Sequence, residues 1–436
     1  MGYALLDNTN VIRAGQTSRM MHMALPLVQQ ASSAIARRVV GLAPRPGRQA
    51  GFAEVPDFGK AIRTPGLEHG TLVNAAPLNV LGTRGQSNPA SSYRIEYITG
   101  DSQGRAITAT GSVLLSSQPW PHGPRPVIAF APSTQGVAQH CDPSHTCAIG
   151  LNVFYQQPFD VIAAYELPII LWFLAHGIDI VMIDYPRDPA ASIQYYCDSI
   201  AAAKSLFDAV LAARQLGLSA DAPLGLWGFS QGGGAIGWAA QLQDYAPQIQ
   251  ARAAVVGAPP ADLSEVLTTV DGTLLSGVIA YAIAGLGASS AELFNEIMPA
   301  LNSKGVNDIL ANITSCAGGT LLTSGYTNTS AWTKSGHRLT EILDELPTVQ
   351  AEFNKQRIGN IAPQIPTLLW GSTHDDVIPI SAVRTLRDDW SQQGTQLTWH
   401  EFRAPKIPGR TGLNHFVPYY RNAEKYTGWL MDQLCA

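Results

Sequence analysis

A serine between two glycines stands where a strand pattern gives way to a helix pattern. Residues 228–232 read Gly-Phe-Ser-Gln-Gly, the spacing G-x-S-x-G, with an apolar run at 224–227 before them and helical periodicity from Ala235 after them. A sharp strand-to-helix turn strains the serine backbone, and glycines on either side avoid the resulting clashes. N–H groups at the helix N-terminus would favour a developing oxyanion. The pattern predicts that Ser230 is a nucleophile, against the alternative of a glycine-rich turn with an incidental serine.

Two aspartates follow a later strand pattern at residues 366–370. In folds with such a serine turn the chain order is serine, acid, histidine, so an acid after this strand could orient the histidine. Asp375 and Asp376 both qualify. We favour Asp375 and expect Asp376 to be a solvated neighbour or a helix cap. The alternative places both carboxylates in a surface turn.

Among ten histidines, His415 has the best position to act as the base. It lies in a loop after the last strand pattern and directly before the terminal helix pattern, whereas His400 lies inside a strand and His374 adjoins the acid it would have to face. His415 would take the proton of the serine and pass it to the leaving alcohol, while the acid holds the imidazole in its tautomer. The alternative is a helix-capping or surface histidine.

An oxyanion hole needs two N–H donors close to the serine. One is predicted at the backbone of Gln231, the residue after the nucleophile. The second should come from a loop after an early strand, and residues 131–136 fit, with Thr134 or Gln135 as the donor. An ordinary surface loop is the alternative.

The elements that must position these residues alternate between strands and helices. Residues 94–99 and 107–115 are predicted to form an antiparallel pair around a turn at 101–104. Further strand patterns lie at 126–130, 178–183, 223–227, 253–257, 367–370 and 397–402. Helical patterns separate most of them. Such alternation predicts an α/β fold in which a mostly parallel central sheet is covered on both faces by right-handed crossover helices.

One interval departs from this alternation. Residues 259–360 carry helical patterns without a strand, which predicts a helical cap or lid inserted over the carboxyl edge of the sheet, where open α/β folds bind ligands. The core is then divided into residues 51–258 and 361–436, after a basic segment at 1–50. Within the cap, residues 274–286 are apolar on every side. We favour a packed cap helix there over a lid face that contacts acyl chains or a lipid surface.

Composition and charge exclude several classes of function. Of 436 residues, 46% are hydrophobic and 14% charged, so a large buried core is expected. The net charge is −5 and no basic stripe follows residue 50, so nucleic acid is not an expected partner. Neither 161–183 nor 272–291 is a convincing membrane span. Without a C-x-x-C pair, a zinc site has little support. Arginines around a short apolar run within 1–50 predict a secreted or cell-envelope protein, unless this segment is a disordered basic tail.

From about Arg94 onward, the chain resembles the secretory lipase family of α/β hydrolases, of the lipase A type. The matching landmarks are the predicted hairpin, residues 134–144, the serine motif and the segments around Asp375 and His415. The resemblance implies an α/β-hydrolase fold with a helical lid, hydrolysis of triacylglycerols and smaller esters, and no metal or other cofactor. One departure is visible at residues 186–189, Pro-Arg-Asp-Pro, where the family has a glycine-rich turn. This difference weakens inferences about substrate specificity and leaves the chemistry unaffected.

The resemblance also implies roles for individual residues. It makes Ser230, Asp375 and His415 a catalytic triad and assigns the oxyanion hole to the backbones of Gln135 and Gln231. It further implies a disulfide between Cys141 and Cys316.

The sequence thus predicts a serine hydrolase that cleaves carboxylic esters through an acyl-enzyme on Ser230. Its expected partners are small-molecule esters or lipids, with transient contact to a lipid interface. We expect esters of longer acyl chains to be better substrates than acetates. The alternatives are an acyltransferase that uses the same triad and a catalytically silent binding protein that keeps the fold.

Overall fold

Eleven strands, nine of them in one sheet, make up the β-structure of the described chain. The computed structural model describes residues 55–83, 90–154 and 159–435, so the predicted basic segment at 1–50 lies outside the described residues. The strands are β1 Leu72–Pro77, β2 Ala90–Gly100, β3 Ala106–Ser116, β4 Val127–Ala131, β5 Leu151–Phe154, β6 Asp160–Ala163, β7 Asp179–Ile183, β8 Leu224–Phe229, β9 Ala251–Gly257, β10 Thr367–Ser372 and β11 Leu397–Phe402. β5 and β6 pair with each other, and the other nine form a sheet in the order β1-β2-β3-β7-β4-β8-β9-β10-β11.

This sheet begins antiparallel and continues parallel. β1 pairs with β2, β2 with β3 and β3 with β7 in antiparallel register. The pairs β7–β4, β4–β8, β8–β9, β9–β10 and β10–β11 are all parallel. β2 and β3 are the predicted hairpin, and in its turn Asp101 accepts hydrogen bonds from the N–H groups of Gly104 and Arg105. The predicted α/β fold with a mostly parallel central sheet is confirmed.

Thirteen α-helices lie in the described chain. They are α1 Pro143–Ile149, α2 Leu167–Ala175, α3 Ser199–Arg214, α4 Gln231–Gln241, α5 Leu263–Val270, α6 Val278–Ser289, α7 Ala291–Ile297, α8 Ser303–Ile313, α9 Ala317–Ser324, α10 Leu339–Glu345, α11 Pro347–Gln356, α12 Ile380–Gln392 and α13 Leu413–Cys435. Every residue of β4, β7 and β8 is buried. Since successive side chains of a strand point to opposite faces, these strands are covered on both faces, which explains why their sequences are apolar apart from Asp179 at the start of β7.

Between β9 and β10, where every residue is described, the chain forms the seven helices α5 to α11 and no strand. The apolar stretch predicted at 274–286 corresponds to α6 and the turn before it. Ile279, Tyr281 and Leu286 of α6 are buried, so this helix packs against its neighbours, as the favoured interpretation expected. Whether these helices move as a lid stays a prediction.

A disulfide joins this helical stretch to the core. Cys141 and Cys316 are bonded, with 5.4 Å between their Cα atoms, so the implied pairing is confirmed. Cys147, Cys197 and Cys435 are free. In the described ranges, no helix has both the length and the apolar character needed to cross a membrane.

Candidate active site

Ser230 occupies the one-residue turn between β8 and α4. Its backbone φ is 58°, a left-handed value that costs energy for a residue with a side chain. The Ser230 N–H donates to the Gly257 carbonyl over 2.9 Å, and the Ser230 carbonyl accepts the Gly234 N–H over 3.0 Å. These two bonds hold the turn between β9 and the first turn of α4. The predicted strand–serine–helix arrangement is present.

The glycines around Ser230 are there because other backbone lies against them. A Cβ on Gly232 would overlap with the carbonyl oxygen of Ala131 at the end of β4, and one on Gly228 would overlap with the Gly232 carbonyl. The turn therefore packs directly onto the loop that follows β4. This close approach brings the serine next to the loop predicted to supply the second oxyanion donor.

His415 and Asp375 are hydrogen-bonded to each other in a buried position. The distance from His415 Nδ1 to Asp375 Oδ2 is 2.7 Å, and each side chain is about 1% exposed. The other oxygen, Oδ1, accepts the N–H groups of Val377 and Ile378 over 2.9 and 2.8 Å. The imidazole also stacks on the Phe229 ring, with 4.4 Å between ring centroids. These contacts fix the orientation of the ring.

The second ring nitrogen of His415, Nε2, is buried and has no hydrogen-bond partner among the described residues. His415 and Ser230 line the same cavity. With Nδ1 committed to a carboxylate, Nε2 is the nitrogen able to accept a proton in that cavity.

Asp376 is not the solvated neighbour that we expected. It is 7% exposed, and its Oδ2 accepts the Gly412 N–H over 3.0 Å and an Asn414 side-chain N–H over 3.3 Å. The expectation was wrong because the loop before α13 folds back over the segment after β10 and buries this carboxylate. Asp376 thereby fixes the loop that carries His415, while Asp375 holds the ring.

Of the two oxyanion candidates, Gln231 lines the cavity and Gln135 does not. Gln231 is the first residue of α4 and lines the cavity. In the loop after β4, Ser133 and Thr134 line it, whereas Gln135 is buried behind them, and its carbonyl accepts the Ala317 N–H over 2.8 Å. The choice of Gln135 as the second N–H donor stays a prediction.

The cavity has a volume of about 490 Å³ and a mostly apolar wall. Its apolar residues come from β6 (Val161, Ile162), from α5 (Leu263, Val266, Leu267, Val270), from the segment around the start of α6 (Leu275, Val278) and from α9 (Ala317, Leu321). Leu413 and Tyr420 of α13 also line it and are 46% and 36% exposed. Residues 186–189, where the sequence departs from the family, do not line it.

A thiol also faces this cavity. Cys197 lines it, and burial raises the pKa of its thiol to about 12. The thiol is therefore protonated near neutral pH and is a poor nucleophile there, because the thiolate is the reactive form. Among the side chains described at this site, the arrangement favours Ser230 over Cys197 as the nucleophile.

The disulfide fastens the loop of the second oxyanion candidate to the cavity wall. Gly136 pairs with Cys316 in an isolated β-bridge, and Cys316 is the residue directly before α9. His140 and Asp160 lie close to both sulfurs, the one grouping of potential metal ligands in the described chain. Because the sulfurs are bonded to each other, they cannot act as thiolate ligands.

Some residues of the site carried no sequence signal. Tyr165 and Tyr196 line the cavity. The Tyr165 hydroxyl donates to the Thr134 carbonyl over 2.6 Å, and the Tyr196 hydroxyl is hydrogen-bonded to the Thr134 hydroxyl over 2.9 Å. Glu166 is a buried carboxyl next to the same loop. These contacts span 31 or more residues, so no local motif could reveal them.

Comparisons with known proteins agree with this architecture. A family model described as secretory lipase matches residues 156–435. Lipase A of Moesziomyces aphidis is 25% identical over 328 residues, which cover 73% of this chain and 68% of that protein. A probable inactive lipase of Mycobacterium tuberculosis is 27% identical over 328 residues, covering 72% and 68%. The closed state of Candida antarctica lipase A has a TM-score of 0.70 at 19% identity, covering 84% of this chain and 82% of that one.

Proposed function

Because the chain belongs to the secretory lipase family and is a carboxylic ester hydrolase, we propose that it cleaves esters through an acyl-enzyme on Ser230. The observation that carries the proposal is the different environment of the two ring nitrogens of His415. One ring nitrogen is held by Asp375 over 2.7 Å, and the other is unpartnered in the cavity that Ser230 lines.

The proposed reaction proceeds in two halves. Ser230 Oγ attacks the ester carbonyl while His415 Nε2 takes its proton, and the charged imidazole is stabilised by Asp375. The carbonyl oxygen becomes an oxyanion that accepts the N–H groups of Gln231 and Gln135. When the intermediate collapses, the C–O bond breaks and His415 gives the proton to the leaving alcohol. Water then attacks the acyl-enzyme with the same proton transfers and releases the acid and Ser230.

We further propose that the substrates are medium- or long-chain acyl esters, including triacylglycerols. A cavity of about 490 Å³ with a mostly apolar wall can bury an acyl chain, and each buried methylene contributes about 0.8 kcal/mol. The exposed Leu413 and Tyr420 beside the cavity support a transient contact with a lipid surface. The family and the disulfide support a secreted or cell-envelope location.

Labelling with a fluorophosphonate tests the proposal most directly. The wild-type protein should be labelled at Ser230, and Ser230→Ala should lose both labelling and hydrolysis of p-nitrophenyl esters. A series of acyl chain lengths should give a higher kcat/KM for longer chains than for acetate. A flat or acetate-favouring series would refute the chain-length proposal while leaving the ester chemistry intact.

Two rival functions are separated by the same assays. A silent binding protein is favoured by the relative named a probable inactive lipase, and it predicts no labelling and no turnover. An acyltransferase predicts labelling at Ser230 and, when acceptor alcohols are added, transfer products in excess of free acid. Labelling with free acid as the main product supports hydrolysis over both.

A further inference from the structure

Glu166 is a buried carboxyl group that the proposed reaction does not use. It lies directly before α2 and is 2% exposed. Its Oε2 accepts the Ser133 N–H over 2.6 Å and the Ser133 hydroxyl over 3.0 Å, and its Oε1 accepts the Tyr419 hydroxyl over 2.9 Å. All three partners donate. Within the described ranges, no lysine, arginine or histidine forms an ion pair with it.

The neighbouring Tyr165 holds the next peptide of the same loop. Its hydroxyl donates to the Thr134 carbonyl over 2.6 Å and lies 2.9 Å from the Ser133 hydroxyl. The peptide between Thr134 and Gln135 is planar and trans, so its carbonyl and its N–H point in opposite directions. Fixing the Thr134 carbonyl on Tyr165 therefore fixes the direction of the Gln135 N–H.

The same two residues contact the helix that carries His415. Tyr419 lies one turn after His415 in α13, and the Tyr420 hydroxyl donates to the Tyr165 carbonyl over 2.7 Å. The Tyr165 ring packs edge-on against Phe416, with 5.7 Å between ring centroids. Tyr165 and Glu166 thus join the loop after β4 to the start of α13.

We propose that Glu166 and Tyr165 are positioning residues that hold the Gln135 N–H at the correct direction and distance from His415 for oxyanion stabilisation. Neither residue forms or breaks a bond with the substrate. The inference rests on the proposed function, because it concerns one donor of the proposed oxyanion hole.

The hydrogen bonds of Glu166 match its ionised form, which accepts the Ser133 N–H, the Ser133 hydroxyl and the Tyr419 hydroxyl. If the carboxyl were protonated, Ser133 or Tyr419 would have to accept its proton and turn its own hydroxyl proton to another acceptor. Burial raises the pKa of Glu166 to about 7. The other titratable groups that face it are Cys147 on α1, Tyr185 after β7, and Tyr165, Tyr419 and Tyr420. Burial raises the pKa of each of these, so all are neutral near pH 7 and the carboxylate is the group that titrates.

Glu166→Gln and Tyr165→Phe test the proposal against Asp208→Asn as the matched control. Asp208 is also a buried carboxyl that accepts bonds from hydroxyls, here of Thr99 and Tyr245, and burial raises its pKa to about 7, but it does not line the cavity. We expect Glu166→Gln and Tyr165→Phe to lower kcat about tenfold to a hundredfold with KM nearly unchanged. Asp208→Asn should stay within about twofold of wild type.

The pH dependence of kcat/KM distinguishes positioning from a purely structural role, because a purely structural role of Glu166 would leave it unchanged. In the wild type, the acid limb of kcat/KM should contain an ionisation near pH 7, where Glu166 loses its proton. Glu166→Gln should lose this ionisation, so its acid limb should be less steep than that of the wild type. Tyr165→Phe should keep the wild-type steepness, because Glu166 is still present.

Each outcome decides the proposal. If Glu166→Gln keeps the wild-type kcat and the wild-type steepness of the acid limb, or if Asp208→Asn loses as much activity, the positioning role is overturned while the proposed function stands. If the wild type neither turns over esters nor reacts with a fluorophosphonate, both proposals fail. Circular dichroism melting checks folding, and if Glu166→Gln does not fold, the kcat and KM of Tyr165→Phe decide.

Discussion

At the scale of the residue, one oxygen of the Asp375 carboxylate is hydrogen-bonded to a side chain and the other to the backbone. Oδ2 bonds to His415, and Oδ1 accepts the N–H groups of Val377 and Ile378. An anion held by backbone N–H groups cannot rotate without losing bonds worth about 1 kcal/mol or more each. The geometry of the imidazole is therefore anchored in the main chain after β10.

Substitution of the two neighbouring aspartates by asparagine should affect kcat and stability differently. Asp375→Asn should lower kcat by roughly a thousandfold or more, because an amide no longer holds the required tautomer of His415. Asp376→Asn should cost less than about tenfold in kcat and act mainly on stability, because Asp376 bonds to the loop at Gly412 rather than to the ring. Steady-state kinetics on one ester substrate compare them. A larger loss of kcat in Asp376→Asn would contradict the assignment of Asp375 to the triad.

Sequence reasoning located the residues with local signatures and missed those that act at a distance. Ser230 and His415 could be proposed from their positions relative to strand and helix patterns. Glu166 could not, because its partners Ser133 and Tyr419 are 33 and 253 residues away in the chain. Asp376 was misjudged for the same reason, since the residues that bury it come from the loop before α13.

At the scale of the element, α4 packs its first turn against backbone instead of side chains. A Cβ at Gly232 would overlap with the Ala131 carbonyl, and one at Gly233 with the Gly257 carbonyl. The start of this helix therefore touches the ends of β4 and β9 directly. Only a helix that begins with small residues can approach both strands this closely.

Two glycine substitutions should have opposite effects on stability. Gly232→Ala should lower the free energy of unfolding by about 3 kcal/mol or more, because neither α4 nor β4 can move without breaking sheet contacts. Gly428→Ala, in α13, should raise it by up to about 1 kcal/mol, since no atom lies within 4 Å of the new methyl group and alanine favours a helix. Urea unfolding measures both. Equal stability of the two variants would contradict the close approach at Gly232.

Most strands of the large sheet and the helical interval before β10 were predictable from sequence, whereas β1 and the β5–β6 pair were not. The strand predicted at 397–402 is β11, and the helices of 263–356 fall inside the predicted cap. The β5–β6 pair was missed because each strand has only four residues and no alternation that could be recognised. β6 nevertheless supplies Val161 and Ile162 to the cavity wall.

At the scale of the whole molecule, a low content of charge does not mean that charges are kept at the surface. Asp179, Glu166 and Asp208 are all buried carboxyl groups, and burial raises their pKa values to about 6, 7 and 7. A raised pKa means that the folded protein binds these protons more tightly than the unfolded chain does. Acidification therefore stabilises the fold through these groups, down to the pKa of the unfolded carboxyl.

The pH dependence of stability should run opposite to that of activity. The stabilisation from protonating Glu166 is fully present below its unfolded pKa and is lost as the pH rises through about 7. From about pH 8 to about pH 5, the wild type should gain roughly 2–3 kcal/mol of unfolding free energy relative to Glu166→Gln. Urea unfolding of both proteins at several pH values measures this difference. A difference that does not change with pH would show that Glu166 keeps its ordinary pKa in the folded protein.

The disulfide between Cys141 and Cys316 turns part of the chain into a covalent ring. The two cysteines are 175 residues apart, and the ring contains Ser230, whereas Asp375 and His415 lie on the linear tail that follows it. The proposed nucleophile is thus inside a closed loop, and its proposed acid and base reach it from outside. The bond does not join the ring to the tail; it fastens the loop after β4 to the start of α9. A chain folded where thiols stay reduced would have to hold that loop against α9 by packing alone, so the compartment in which the protein folds sets how firmly this side of the cavity is held.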